Sequence, residues 1–380
     1  PCYSRYKMSK SLGNVVDPKL VIEGGNNKKK EPPYGADTLR LWVASVNYAA
    51  DVCIGPSIIA QQSDAYRKLR NTARFLLGNL HDYNPEVHAV PYDELPALDR
   101  YMLGVLTDFT NDVKSAYDDF QFSRALGLLQ QFAVSDLSNF YLDIAKDRLY
   151  ISAPDETRRR QCQTVIDALL RGFVAAMAPV LPHLAEDIWQ FLPYQTPHAS
   201  VFAAGWPAFA HPTERKDEWA AMRTLRDEVN KALEKLRADK TIGASLEAGL
   251  MVASDDPLLK PLLSEWSAAA AAGDANGVDE LRYFFLTSQA ELAPDAAAVE
   301  AAAAYTVSAD EPSFTLGVGK ATGKKCERCW HYSAESTYGS DDYPGVCDRC
   351  ATALERMAFA PPKFSGVTEV PEGELAKNAA

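Results

Sequence analysis

Four cysteines, Cys326, Cys329, Cys347 and Cys350, are separated by two, seventeen and two residues. Two short turns so spaced can each present a pair of sulfurs to one ion, each pair gripping an edge of a tetrahedron. Four thiolates leave no position for water, so the ion expected here is structural zinc rather than a catalytic metal. Unrelated thiols, a redox disulfide or iron are the alternatives that this spacing disfavours, and His331 is set aside as a replacement ligand. So small a module buries little apolar surface, and metal binding is expected to supply most of its folding free energy. Trp330, His331 and Tyr332 come directly after the first pair, and the turn-forming run from Gly339 to Gly345 suits a loop joining two knuckles.

A second constellation lies near the start: Lys7-Met8-Ser9-Lys10-Ser11-Leu12-Gly13-Asn14. Two ammonium groups, two hydroxyls and a glycine in one short loop suit a polyphosphate, whose oxygens a lysine can neutralise as charge shifts in a displacement. Residues 1–30 carry seven Lys or Arg against two acids, which makes the segment a candidate phosphate-facing surface.

Long amphipathic helices must carry these sites. Phe122, Leu126, Leu129, Ala133, Leu137, Phe140 and Ile144 advance in steps of three or four; Val165, Leu169, Phe173 and Met177 do the same before Pro179 and Pro182 interrupt. Leu184, Ile188 and Trp189 resume the pattern, and Trp219, Met222, Leu225, Val229, Leu233 and Leu236 form another stripe that ends at Gly243. Leu250 to Ala253 reads as a strand, and Phe284-Phe285-Leu286 and Tyr305-Thr306-Val307 as further short strands. The alanine-rich stretch 264–304 is expected to be surface helix or loop, and the tail after Pro361 mobile. The fold is therefore read as mainly α: a helical bundle, then a small α+β segment and a four-cysteine zinc module.

At 380 residues the chain can hold two or three domains with a sizeable core. Seven cysteines, four in metal spacing, fit a reducing compartment, so Cys2, Cys53 and Cys162 are expected as free thiols. No apolar run reaches about eighteen residues, so no membrane span is expected. The net charge of -12 excludes a protein that coats nucleic acid by bulk attraction, and residues 316–359 balance six basic with six acidic side chains.

The KMSKS run resembles the signature of class I aminoacyl-tRNA synthetases. Tyr34-Gly35-Ala36-Asp37 with Leu39-Arg40-Leu41-Trp42 is similar to the helix start just after that loop in the isoleucine, valine, leucine and methionine branch. Asp136 to Tyr141, Lys146 to Tyr150, and Ala178 to His183 resemble the anticodon-binding bundle of that branch, where Tyr141 and His183 read as packing and hydrogen-bonding residues. Glu228 to Glu234, Ile242 to Glu247 and Cys326-Glu327-Arg328-Cys329-Trp330-His331-Tyr332 are similar to the bacterial-type isoleucyl-tRNA synthetases. Residues 24–33 are longer than the usual linker there and resemble cyanobacterial or plastid members.

The resemblance implies five segments: 1–55, the KMSKS loop and the end of a Rossmann-type class I catalytic domain; 56–240, a helical anticodon-binding domain; 241–315, an α+β junction; 316–360, the zinc module; and 361–380, a flexible tail. It implies ATP-dependent activation of isoleucine to isoleucyl-adenylate and transfer to tRNA(Ile), with Mg2+ accompanying ATP. Lys10, assisted by Lys7, would contact the ATP phosphates; Lys7, Met8, Ser9, Lys10 and Ser11 would bind ATP, and Ser9, Ser11 and Gly13 would shape the mobile loop. Lys146, Arg148, Arg158, Arg159 and Arg160 would anchor tRNA phosphates, with Trp330, His331 or Tyr332 stacking on exposed bases. No H-I-G-H motif or editing domain occurs in these residues, so a C-terminal fragment, inactive by itself, is expected. A monomer in a bacterial cytoplasm or an organelle is the expected setting. A valyl- or leucyl-type enzyme and a non-catalytic zinc-containing tRNA-binding protein are the alternatives.

Overall fold

The computed structural model describes residues 7–271, 281–334 and 339–359. The expected mobile tail and part of the alanine-rich stretch lie outside these residues. Helices α1 (Pro18–Glu23) and α2 (Ala36–Ser45) come after the Lys7 to Asn14 loop. Asp17 starts α1 by accepting the Lys19 N–H at 2.9 Å, and Pro18 occupies the first turn, where no N–H is needed.

The bundle is built from α3 (Pro56–Gly78), the short α4 (Pro85–His88), α5 (Ala97–Asp118), α6 (Phe122–Gln131), α7 (Leu142–Ile151) and α8 (Thr157–Met177). Then come α9 (Pro182–Gln190), α10 (Val201–Ala204) and α11 (Lys216–Ala238). The apolar stripes read from sequence are buried, with Leu126, Leu129, Ala133, Leu137, Phe140 and Ile144 all in the core. Between α6 and α7 the chain stays helical but widens to a π-helical stretch, Phe132–Tyr141, in which the Leu142 N–H reaches back five residues to Leu137.

A buried polar knot ties three helical segments together. Arg148 grips Asp99 through both terminal nitrogens, at 2.7 and 2.8 Å, and the Tyr141 hydroxyl donates to the same carboxylate at 2.7 Å. Burial holds the Tyr141 phenol well above its ordinary pKa, so it stays a donor. Gly104 marks a close approach: a Cβ there would lie 2.6 Å from the Pro212 carbonyl oxygen.

Beyond α11 the chain forms β1 (Ala248–Ala253), α12 (Lys260–Ala271), α13 (Leu281–Phe285), β2 (Gln289–Leu292), α14 (Ala296–Ala302), β3 (Tyr305–Asp310) and β4 (Ser313–Lys320). The sheet order is β2-β1-β4-β3; β1 and β2 run parallel, and β4 is antiparallel to both β1 and β3. Leu250 and Val307 stand in strands, as expected. Phe284 and Phe285 do not: they end a helix that closes at Leu286 with φ of 56°. The reason is tertiary. Phe284 packs 5.2 Å from Trp266 and 6.3 Å from Trp219, joining α11, α12 and α13 in one aromatic cluster. The last elements are the two-residue strands β5 (Lys324–Lys325) and β6 (Tyr332–Ser333), paired antiparallel, and α15 (Asp348–Arg356).

No helix among the described residues is long and apolar enough to cross a membrane. Cys162 is a buried free thiol, as expected, but Cys53 is disulfide-bonded, which corrects its reading as free.

Candidate metal centre and nucleotide-facing loop

The β5–β6 hairpin brings the first cysteine pair into position, and Cys347 stands at the head of α15 so that Cys350 falls one turn later. All four sulfurs are buried and lie within 4.8 Å of one another. The Cys329 and Cys347 sulfurs are 3.8 Å apart. Thiolates at about 2.3 Å from zinc would form a tetrahedron with edges of about 3.8 Å, so the donor set fits such an ion. Backbone N–H groups of Cys329 and Cys347 point at the Cys326 sulfur at 3.5 and 3.3 Å, which favours its thiolate. Hydrogen bonds from the other three thiols hold Cys326 well below the ordinary thiol range, while the same crowding pushes Cys350 up.

His331 is not in the cluster. Its Nε2 lies 3.7 Å from Asp147, and burial pushes its pKa down to about 4, so the ring is neutral near pH 7.

Each knuckle carries an arginine just before its second cysteine, and both reach α7. Arg328 donates to the Ile151 carbonyl at 2.7 Å and the Tyr150 carbonyl at 3.4 Å, and lies 3.7 Å from the Cys350 sulfur. It thereby satisfies carbonyls that a helix C-terminus leaves without partners. Arg349 takes Asp147 through two nitrogens and also donates to the Tyr283 hydroxyl at 2.9 Å. Arg158 completes the Asp147 site at 2.9 Å. Burial works against ionisation of Asp147, but Arg349 and Arg158 override it and hold the carboxyl well below the usual range.

The arginines expected on an RNA-facing surface are therefore mostly internal. Arg148, Arg158 and Arg159 are 2%, 5% and 7% exposed. Arg159 is held by the Leu149 carbonyl and Asp82, and Arg160 donates to the Asp82 carbonyl and Gln163 at 2.8 Å each. Arg148, Arg158 and Arg159, expected as phosphate anchors, are each paired in the interior with a carboxylate: Asp99, Asp147 and Asp82 respectively. Lys146 remains exposed beside Asp143, and lines a groove with Lys68, Asn71, Phe75, Ser138 and Asn139. Trp330 is 61% exposed, with φ of 65°, at the tip of the first knuckle.

Near the start, the Lys7 to Asn14 loop is closed by its own side chains. The Asn14 side-chain Oδ1 accepts the Ser9 N–H at 2.8 Å, the Ser9 and Ser11 hydroxyls lie 2.7 Å apart, and Gly13 takes φ of 65°. Lys7, Met8, Lys10 and Ser11 are exposed, and neither lysine has a carboxylate partner among the described residues.

Two residues of α2 fasten this segment to the bundle, and nothing in the sequence singled them out as a pair. Asp37 accepts from His183 Nδ1 at 2.7 Å and from the Leu184 N–H at 2.9 Å, capping α9. Arg40 donates to the Val180 and Pro179 carbonyls at 2.9 Å each, in the turn between α8 and α9. The sequence signal for the arginines of the metal module was the shared Cys-acid-Arg-Cys order of Cys326 to Cys329 and Cys347 to Cys350.

Residues 99–252 match the family described as the anticodon-binding domain of tRNA ligase, and residues 4–55 match tRNA synthetases class I (I, L, M and V). An isoleucine--tRNA ligase of Thermosynechococcus vestitus is 55% identical over 352 residues, covering 92% of this chain and 36% of the relative. That of Cyanothece sp. is 54% identical over 359 residues, with 92% and 37% covered, and that of Crocosphaera subtropica 51% over 352 residues, with 92% and 36%. The chain thus spans a little over a third of the length of these curated relatives. With the paired cysteine knuckles, the helical bundle and the lysine loop all carried on one such chain, it belongs to the bacterial-type isoleucyl-tRNA synthetase family.

Proposed function

We propose that this chain supplies the ATP-phosphate loop, the tRNA-binding bundle and a zinc-stabilised module of an isoleucine-activating tRNA ligase. In that reaction an isoleucine carboxylate oxygen bonds to the α-phosphorus of ATP, the bond to the β-phosphate breaks, and pyrophosphate leaves with Mg2+. The acyl group of the adenylate then passes to a ribose hydroxyl at the tRNA 3' end, releasing AMP. Lys10, with Lys7, neutralises the phosphate oxygens as charge moves toward pyrophosphate; Ser9, Ser11 and Gly13 shape the loop. Zinc, when bound, supplies structure alone, because four thiolates close its coordination.

The observation that carries this reading is that two lysines with no carboxylate partner among the described residues, on a self-closed loop, are fastened through Asp37 and Arg40 to the bundle whose residues 99–252 match an anticodon-binding domain. Lys146 and Trp330 are the solvent-facing groups proposed to meet tRNA, and the matches named isoleucine--tRNA ligase favour tRNA(Ile) as that partner.

The test is isoleucine-dependent ATP-pyrophosphate exchange in the protein carrying this chain together with a nucleotide-binding half. Lys10→Ala should slow exchange on the order of 100-fold while leaving tRNA(Ile) binding nearly unchanged. Exchange driven by valine or leucine instead would reassign the substrate, and an unchanged rate in the variant would remove Lys10 from its role.

A further inference from the structure

We infer that Lys28, Lys29 and Lys30 form a second phosphate-binding element, which holds backbone phosphates of an RNA strand beside the Lys7 to Asn14 loop. The inference rests on the reading that this protein takes a tRNA.

The three lysines sit on a built turn. The Asn27 side-chain oxygen accepts the N–H groups of Lys29 and Lys30 at 3.1 and 3.4 Å, and its main-chain carbonyl accepts those of Lys30 and Glu31 at 2.9 Å each. The base of the turn is closed by the Gly25 N–H on the Glu31 carbonyl at 3.0 Å. Gly24, with φ of 79°, leaves no space for a side chain: a Cβ would lie 2.8 Å from the Glu31 carbonyl oxygen. A turn fixed in this way has already lost the backbone freedom that a floppy lysine run would have to give up on binding.

All three side chains are exposed, and none has a carboxylate partner among the described residues. Other surface lysines do: Lys114 pairs with Asp118, Lys231 with Glu228 and Lys260 with Asp255. Between Lys7 and Tyr34 six lysines face only three carboxylates, Asp17, Glu23 and Glu31, on a chain whose net charge is -12. On a chain of net negative charge, a local excess of lysines is a place where a polyanion is repelled least.

Location argues for RNA rather than for a nucleotide alone. Lys30 and Glu31 line the same cleft as Val15, Val16, Leu20 and Val21, and Val15 directly follows the Asn14 that closes the nucleotide loop. A ribose hydroxyl that attacks an adenylate held at that loop must bring its own strand alongside. Lys7 and Lys10 already serve the triphosphate, so the added cations on the flank meet the phosphodiesters that arrive with the acceptor.

Binding of a tRNA(Ile) transcript to the 380-residue chain, measured across a range of salt concentrations, tests this. Loss of three phosphate contacts should lower the slope of log K against log salt by about 2 to 3 in K28A/K29A/K30A. A control triple, K114A/K231A/K260A, removes the same net charge and should change the slope much less. Equal changes in the two triples, or an unchanged slope in the first, would overturn the proposal while leaving tRNA binding by the parent chain intact. Weakened ATP binding in K28A/K29A/K30A with an unchanged tRNA slope would assign the lysines to the nucleotide instead. A parent chain with no affinity for tRNA(Ile) would overturn the tRNA reading itself and this inference with it.

Discussion

Arg349, set between Cys347 and Cys350 of the four-cysteine cluster, holds Asp147 of the bundle through two nitrogens at 2.5 and 2.9 Å. The metal module and the bundle are therefore one electrostatic unit: Asp147 also receives Arg158, and the Tyr283 ring lies 5.2 Å from both guanidinium groups. Removing Asp147 leaves two partly or fully buried cations without their counter-charge. Asp147→Ala should cost about 3 kcal/mol, read as a lower urea midpoint at unchanged slope. Adding Arg349→Met should recover part of that loss, because it removes one of the orphaned charges; a fully additive double variant would mean that the two residues do not act on each other.

Asp82 takes part in a second internal site, where burial opposes ionisation but hydrogen bonds from Arg159 and Gln163, with the charge of Arg160, lower its pKa below the ordinary value. A carboxyl whose folded pKa lies below its unfolded value near 4 stabilises the fold fully above that pH and loses the contribution as pH falls through the folded value. Asp82→Asn should therefore lower stability at neutral pH, and the gap to the parent protein should close below about pH 4. A gap that stays constant down to pH 2 would show that the carboxylate charge contributes nothing there.

What the sequence made legible was local. Two Cys-x-x-Cys pairs, a lysine-serine loop and apolar stripes in steps of three or four are all set by neighbours within one or two turns, and each stands in the structure near the place its spacing required. Pairings across long separations were not legible. Arg148 meets Asp99 from 49 positions away and Arg349 meets Asp147 from 202, so Arg148, close to other basic residues in sequence, reads as a surface group although it is a buried partner. Phe284 and Phe285 have strand propensity, yet the indole rings of Trp219 and Trp266 give them a helical site to fill. The turn bearing Lys28 to Lys30 was visible as charge, while its fixed geometry depends on Asn27 and two glycines.

The metal should be coupled to docking. Arg328 lies 3.7 Å from the Cys350 sulfur and caps the Tyr150 and Ile151 carbonyls, so loss of the ion releases both sides of the contact. One zinc per chain is expected by metal analysis. A strong chelator, or Cys326→Ser, should raise amide exchange across residues 324–334 and near the end of α7, while α5 and α8 keep their protection. In the catalytically complete protein the same variant should impair tRNA charging more than adenylate formation. Equal loss of the two steps would mean that the module supports the whole fold.

Asp37 and Arg40 should transmit the state of the bundle to the nucleotide loop. Asp37 accepts the Leu184 N–H at the start of α9, and Arg40 takes two carbonyls of the turn that follows α8, so one turn of α2 braces the connection between those helices. Asp37→Ala removes an N-cap and the His183 partner and should cost about 1 to 2 kcal/mol, whereas Asp37→Asn, which keeps a cap acceptor, should cost less. If the clamp fixes the loop, Asp37→Ala should also raise the KM for ATP in exchange assays without altering the affinity for tRNA(Ile). Because His183 is itself largely exposed, the cap rather than the imidazole should dominate: His183→Ala should reproduce only a small part of either effect. An effect of His183→Ala as large as that of Asp37→Ala would shift the coupling from the helix cap to the side-chain pair.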